Sequence, residues 1–151
     1  MKPKTELSLR IRAMRCMARR EYSRAELRAR LLPHQQEGED VEAVLDELAC
    51  RNWLSDARAA EQLVSQRRGR YGVHRIVHDL RRKGVAEELI AASLPELQES
   101  EFEAARAVWL KKFGVAPQTP QEKAKQVRFL QSRGFGLDVV VNLLKLPDLP
   151  E

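Results

Sequence analysis

A chain of 151 residues, 32% charged and 5% aromatic, is long enough for one ordinary domain or a short row of small ones. It is rich in Ala, Leu, Glu, Arg and Gln and lacks any run of alternating β-branched residues, which argues against a sheet and for helices. No apolar run approaches the ~20 residues of a membrane span, and charges stand where a signal peptide carries its apolar segment, so a soluble, cytoplasmic protein without membrane contact is expected.

The net charge of +5 is distributed in blocks: +7 over residues 1–30, −6 over 31–65, +6 over 66–83, −5 over 84–110 and +3 over the remainder. Along an extended array such blocks give a striped surface, suited to a large and charged partner.

In chain order, the spacing of Leu7, Ile11, Met14 and Ala18 predicts a first helix from Leu7 to Arg20 with those four turned inward. Arg12, Arg15 and Arg19 cluster on its flank as a secondary basic face. Ser23-Arg24-Ala25-Glu26 has the form of a capping box and starts a short helix carrying Leu27 and Leu31, which Pro33 helps to stop. Asp40 caps a helix running through Trp53, with Val41, Val44, Leu45 and Leu48 inside.

A second unit repeats this plan. Ser55 or Asp56 caps a helix with Ala59, Ala60, Leu63 and Val64 inward, and a turn bounded by Gly69 and Gly72 follows. The next helix, Val73 to Lys83, stops at Gly84, and a third containing Leu89, Ile90 and Leu94 is closed by Pro95. In the last unit Ser100-Glu101-Phe102-Glu103 reads as another capping box, opening a helix with Ala105, Val108 and Trp109 inside and Gly114 at its end. Thr119-Pro120-Gln121-Glu122 starts the next, which carries Val127 and Leu130 and stops at Gly134. A final helix holds Leu137, Val139, Val140, Leu143 and Leu144, and Pro147 begins a tail.

The register is periodic. Val77, Leu80, Lys83, Gly84, Leu89, Ile90 and Leu94 recur fifty positions later as Val127, Leu130, Arg133, Gly134, Val139, Val140 and Leu144. Forty-nine positions earlier, Leu27 and Leu31 stand in the places of Ile76 and Leu80. A period near fifty signals tandem supersecondary units that share buried faces. The expected fold is all-α: three tandem three-helix repeats, at residues 1–54, 55–98 and 99–151, forming an elongated, curved array.

The central helix divides cleanly. Val73, Ile76, Val77 and Leu80 fall in one sector of the wheel, and His74, Arg75, His78, Arg81 and Arg82 in the opposite one. Arg67, Arg68, Arg70 and Tyr71 lead into it, and Lys83 ends it. These ten residues form the candidate partner-binding face, because guanidinium groups present a planar fork to carboxylate or phosphate and stack on rings.

The chain carries no Gly-rich phosphate loop, nucleophile motif or clustered His/Cys set, so neither catalysis nor a cofactor is expected. His74 and His78 have helical i,i+4 spacing but no third ligand, so no metal is expected, and Cys16 and Cys50 read as small buried apolar side chains. Helix–Gly–helix from Val73 to Leu94 has the outline of a helix-turn-helix DNA reader. Its second helix, however, begins Ala86-Glu87-Glu88 and continues apolar, which repels phosphate and suits burial. Non-specific backbone contact through the basic helix stays open as the alternative function.

Asn52 to Ala60, Tyr71 to Ile76 and Asp79 to Val85 together resemble the RecX family of recombinase regulators, with Arg19 to Leu27 and Lys123 to Phe135 fitting in the flanking units. Ala59 departs from the pattern, standing where the family often has an aromatic residue. The resemblance implies a non-enzymatic modulator of the RecA recombinase. Such a protein binds the filament on single-stranded DNA, lies in its groove, and inhibits ATPase, strand exchange and co-protease activity. A monomer with weak contact to single- or double-stranded DNA is expected.

Overall fold

The structure, a computed structural model, describes residues 7–145, and within them the chain is all-helical. Eight α-helices follow in order: α1 Leu9–Met17, α2 Arg24–Leu31, α3 Val41–Cys50, α4 Asp56–Arg67, α5 Val73–Arg82, α6 Glu87–Lys112, α7 Pro120–Ser132 and α8 Leu137–Leu144, with a short 3-10 turn at Leu32–His34. They belong to two compact units. The first takes the described residues up to Gln62 together with Arg82–Val85; the second takes Leu63–Arg81 and the described residues from Ala86 onward.

In the first unit the core is built from Leu9, Ala13, Tyr22, Leu27, Leu31, Val41, Leu45, Leu48 and Leu54. The helix starts are capped as expected: Ser23 and Glu26 form the reciprocal box at α2, and the Asp40 carboxylate accepts from the Glu42 N–H at α3. α3 is shorter than its apolar pattern suggested. It ends at Cys50, and Asn52 takes a left-handed φ of 61°, which turns the chain and leaves Trp53 exposed. α1 corrects the sequence reading more strongly. Ser8 accepts from the Ile11 N–H and starts the helix at Leu9, so Leu9 and Ala13 are buried while Ile11 and Met14 face outward at 45% and 38% exposure. Residues 9, 13, 16 and 17 form a second helical stripe with smaller side chains, and that stripe meets the core. Cys16 packs beside it, whereas Cys50 is exposed and not buried as expected.

The core of the second unit gathers Ala105, Trp109, Leu130, Phe135, Val140 and Leu143. Its buried polar group is satisfied: the Trp109 indole N–H donates to Gln126 Oε1 at 2.8 Å, and Gln126 Nε2 donates to the Val115 carbonyl. Two boundaries expected here do not exist. α6 runs unbroken from Glu87 to Lys112 with Pro95 inside it, and Ser100 is mid-helix, its hydroxyl donating to the Glu96 and Leu97 carbonyls. Pro95 costs the helix one backbone N–H, but Pro95 and Ala91, whose carbonyl loses that donor, are both exposed residues. The tail from Pro147 lies outside the described residues.

The periodic register survives in the burial. Leu80 and Leu130 are both fully buried, as is Val140 with its counterpart Ile90 nearly so, and Val77 and Val127 are half-buried alike. Two joints recur with their helix starts and receiving carbonyls close to that register. At the start of α2, Asp56 Oδ1 accepts from the Arg24 N–H at 2.7 Å, and the Ser23 hydroxyl donates to the Lys83 carbonyl. At the start of α5, where Gly72 and Val73 stand forty-nine positions after Ser23 and Arg24, Glu101 Oε2 accepts from the Val73 N–H at 2.9 Å, and the Gly72 N–H donates to the Arg133 carbonyl at 2.9 Å. In each joint a carboxylate and the carbonyl before a left-handed glycine (Gly84, Gly134) receive the start of a helix.

Candidate partner-binding surfaces

The basic stretch begins in the second unit, where Arg67, Arg68, Arg70, Tyr71, His74, Arg75, His78 and Arg81 lie. α5 turns Ile76 and Leu80 fully inward, holds Val73 and Val77 half-buried, and exposes His74, His78 and Arg81. That is the division the wheel predicts. Arg75 is half-buried instead of exposed, because Asp79 one turn on holds it at 3.4 Å.

Several of these cations are already engaged. Arg67 also sits 3.4 Å from Asp79, as a charge contact without a hydrogen bond, since its Nε–H is buried without an acceptor. Arg68 pairs with Glu96 at 2.7 Å and Arg81 with Glu87 at 2.8 Å, both near the surface. The hydrogen bond and charge of Arg81 hold the Glu87 carboxyl below its usual range. The guanidinium groups of Arg67, Arg75 and Arg133 lie 5.4, 4.8 and 5.4 Å from the Tyr71 ring centre. Among the described residues Arg70, His74 and His78 have no carboxylate partner.

The fold adds residues that sequence reasoning left out. Arg70 and Tyr71 share a cavity of about 560 Å³ with Lys111, Lys112, Phe129 and Arg133, and no acidic side chain lines it. Arg133 lies 5.3 Å from the Phe129 ring centre and Lys112 also 5.3 Å, while Phe113 packs edge-on against Phe129. The result is a cationic cleft with two rings in its wall. It can take an anionic group and an apolar neighbour together. Arg133 was visible in the sequence as the repeat counterpart of Lys83; Lys111 and Lys112 had no such signal.

Arg82 and Lys83 belong to the first unit, as do Arg12, Arg15 and Arg19. Lys83 reaches Glu26 at 3.6 Å, and Arg20 reaches the same carboxylate at 3.0 Å. Burial alone would raise the Glu26 pKa; the Arg20 and Ser23 hydrogen bonds and the Lys83 charge outweigh it and hold the carboxyl below its usual range. Arg12, Arg15 and Arg19 line a second cavity, of about 610 Å³, with Arg30 and His34. Among the described residues no helix is long and apolar enough to cross a membrane, and no three His, Cys, Asp or Glu are grouped to hold a metal.

Comparison with known proteins agrees with this architecture. Residues 55–94 match the second three-helix domain of RecX and residues 99–144 the third. The chain is 43% identical to the regulatory protein RecX of Ralstonia pickettii, over 94% of this chain and 89% of that one. It is 44% identical to its namesake in Leptothrix cholodnii, over 95% and 91%. The crystal structure of RecX from Lactobacillus salivarius superposes with a TM-score of 0.73 at 15% identity, covering 90% of this chain and 94% of that one. These relatives are named as regulatory proteins, and the shared fold is a helical repeat array.

Proposed function

Because this chain belongs to the RecX family of regulatory proteins, we propose that it binds the RecA recombinase filament on single-stranded DNA. By doing so it inhibits the filament's ATPase, strand-exchange and co-protease activities, and so regulates DNA repair, recombination and the SOS response. The observation that carries this reading is identity above 40% along nearly the whole chain to proteins named RecX. It acts as a cytoplasmic binding protein without catalysis or cofactor.

In this reading the cleft of the second unit is a principal contact. Arg70, Lys111, Lys112 and Arg133 carry charge that no carboxylate of the described chain takes up, so a partner's anionic surface completes them. Arg67, Arg75 and Arg81 hold that face in shape through Asp79 and Glu87. Exposed cations of this kind speed encounter and make binding salt-sensitive.

The test is co-sedimentation with RecA filaments, alongside a filament ATPase assay at physiological salt. Binding and inhibition are expected; absence of both overturns the proposal. Replacing Arg70, Lys112 and Arg133 together by Gln is expected to weaken filament binding by roughly tenfold or more with folding retained. A well-folded triple variant that inhibits as the parent does would remove the cleft from the contact while leaving the family role standing.

A further inference from the structure

The arginines of the first unit separate into two sets. Arg10, Arg20, Arg24, Arg28, Arg51 and Arg58 each sit within ion-pair distance of a carboxylate. Arg12, Arg15, Arg19, Arg30 and Arg82 have none among the described residues, and every one of them lines one of two cavities. Arg12, Arg15, Arg19 and Arg30 stand around the cavity of about 610 Å³, which no acidic side chain lines. Arg30 and Arg82 line another, of about 400 Å³, whose one carboxylate, Glu26, is already engaged by Arg20 and Lys83. Tyr22, Ala29 and Arg30 belong to both walls, so the two hollows adjoin.

Uncompensated guanidinium groups repel one another, and holding four around one hollow is unfavourable unless something anionic enters. Arg12 is also fixed in place: it is half-buried, and its Nε–H is enclosed without an acceptor. That leaves the outer nitrogens of a positioned fork for a ligand. We infer that this arginine-lined cavity is a binding site for phosphate esters of the nucleotide class, taking two or more phosphates in a row. Charge density favours linked phosphates. A polyphosphate delivers several charges and forked acceptors within a small hollow. By contrast, an extended acidic peptide carries at most one charge per ~3.3 Å of chain and a nucleic-acid strand one per ~3.4 Å. The volume lies within the ~300–1,000 Å³ of small-ligand sites. The phosphates can come from a free nucleotide or from a nucleic-acid strand; the site is separate from the second-unit cleft and does not depend on the filament reading.

The experiment uses the full chain without recombinase. Fluorescence anisotropy of a labelled oligothymidylate is followed at low salt, with ATP, inorganic pyrophosphate and a poly-glutamate peptide as competitors. The parent is expected to bind. Changing Arg15, Arg19 and Arg30 together to Gln should weaken binding at least ~10-fold and lower the salt slope by about 2, at ~0.7 per lost phosphate contact. Changing the paired Arg10, Arg28 and Arg51 to Gln removes equal charge from the same unit and should cost less than ~2-fold. Displacement by ATP and pyrophosphate marks a free-nucleotide source; displacement by unlabelled oligonucleotide alone marks a strand; either supports the site. No binding by the parent, equal losses in the two triple variants, or displacement by poly-glutamate as efficient as by oligonucleotide overturns it. Should the first triple variant lose its helical circular dichroism, Arg30→Gln alone, at an exposed helix position, is expected to weaken binding ~3-fold, and an unchanged affinity then overturns the proposal.

Discussion

At the start of α2 the Lys83 carbonyl accepts from the Ser23 hydroxyl, and at the start of α5 the Arg133 carbonyl accepts from the Gly72 backbone N–H. The carboxylate that completes each joint is half-buried Asp56 in the first and buried Glu101 in the second. The helix starts and the receiving carbonyls keep their register between the two joints; the carboxylates, 45 positions apart, and the donor chemistry do not. Where a side chain reaches across, as at Ser23, its hydroxyl donates to the Lys83 carbonyl and also accepts from the Glu26 N–H in the reciprocal capping box. Where glycine meets glycine, the backbones touch directly, and no side chain fits: a Cβ at Gly72 would run into the Gly134–Phe135 backbone. What an internal repeat preserves is a pair of hydrogen-bonded groups; the residues that supply them can change.

The largest effects should be equal in the two regions. Leu31 and Leu80 are repeat counterparts at 1% and 0% exposure, so Leu31→Ala and Leu80→Ala should each cost about 2–5 kcal/mol in urea unfolding. A loss of a few tenths at either position would show that the buried register does not recur. The glycines should then separate the joints. Gly134 has φ +90°, and an added Cβ would meet the Arg75 backbone; Gly84 has φ +76°, and its added Cβ would meet only the Ala25 methyl closely. Neither contact can swing away, but a Cβ at Gly134 would crowd three atoms of Arg75, where a Cβ at Gly84 would crowd one of Ala25. Gly134→Ala is expected to cost about 2–4 kcal/mol and Gly84→Ala about 1–3 kcal/mol, by the same measurement. The reverse order would mean that the second joint is the looser one.

Much of this was legible in the chain. The stops at Gly84 and Gly134, the caps at Ser23, Asp40 and Thr119, and the inner stripe of α3 are local devices whose residues lie within one turn of each other. The fifty-residue register is equally readable, because burial repeats with it. The misreadings have a common cause: local signals that fit two structures equally. Ser100-Glu101-Phe102-Glu103 suits a helix start, yet the same Ser hydroxyl is satisfied mid-helix by the Glu96 carbonyl, and Glu101 is drawn instead to the Val73 N–H. α1 has two apolar stripes, and the bulkier one lost because Ser8 and the Glu39 carboxylate, which accepts from the Leu9 N–H, set where the helix starts. The cleft was the least visible feature. Arg70 and Lys112 are 42 residues apart in sequence, and the carboxylates that neutralise Arg68 and Arg81 come from α6, whose acidic start reads as complementing its own helix dipole.

Smaller effects should follow from the carboxylates of the two joints. Glu101→Ala would strand the Val73 N–H beside a buried side chain, whereas Asp56→Ala would strand the Arg24 N–H at a half-buried one. Expected costs are about 1.5–3 kcal/mol for the first and about 0.5–2 kcal/mol for the second, with Glu101→Gln recovering most of the loss because its amide oxygen can still accept. Thermal unfolding of the three variants checks this. Equal losses at 56 and 101, or a Gln no better than Ala, would mean that the carboxylates act by charge and not as acceptors.

The smallest effect is confined to acid and to the first joint. Glu26 receives the Ser23 N–H, Arg20 and Lys83, and its pKa lies below the ordinary 4.5. A carboxyl whose folded pKa is depressed adds stability that is fully present above the unfolded value. That stability is lost as pH falls from about 4.5 through the folded value. The second joint has no counterpart, since Arg75 stands where the register places Glu26. Melting temperature measured from pH 7 down to acid should therefore show Glu26→Gln less stable than the parent at neutral pH, with the gap closing below about pH 4.5 as the parent's own carboxyl protonates. Arg75→Gln should leave the shape of that acid limb unchanged. If the gap between Glu26→Gln and the parent stays constant to the lowest pH, Glu26 stabilises the joint by its shape and packing, and the difference between the joints is steric alone.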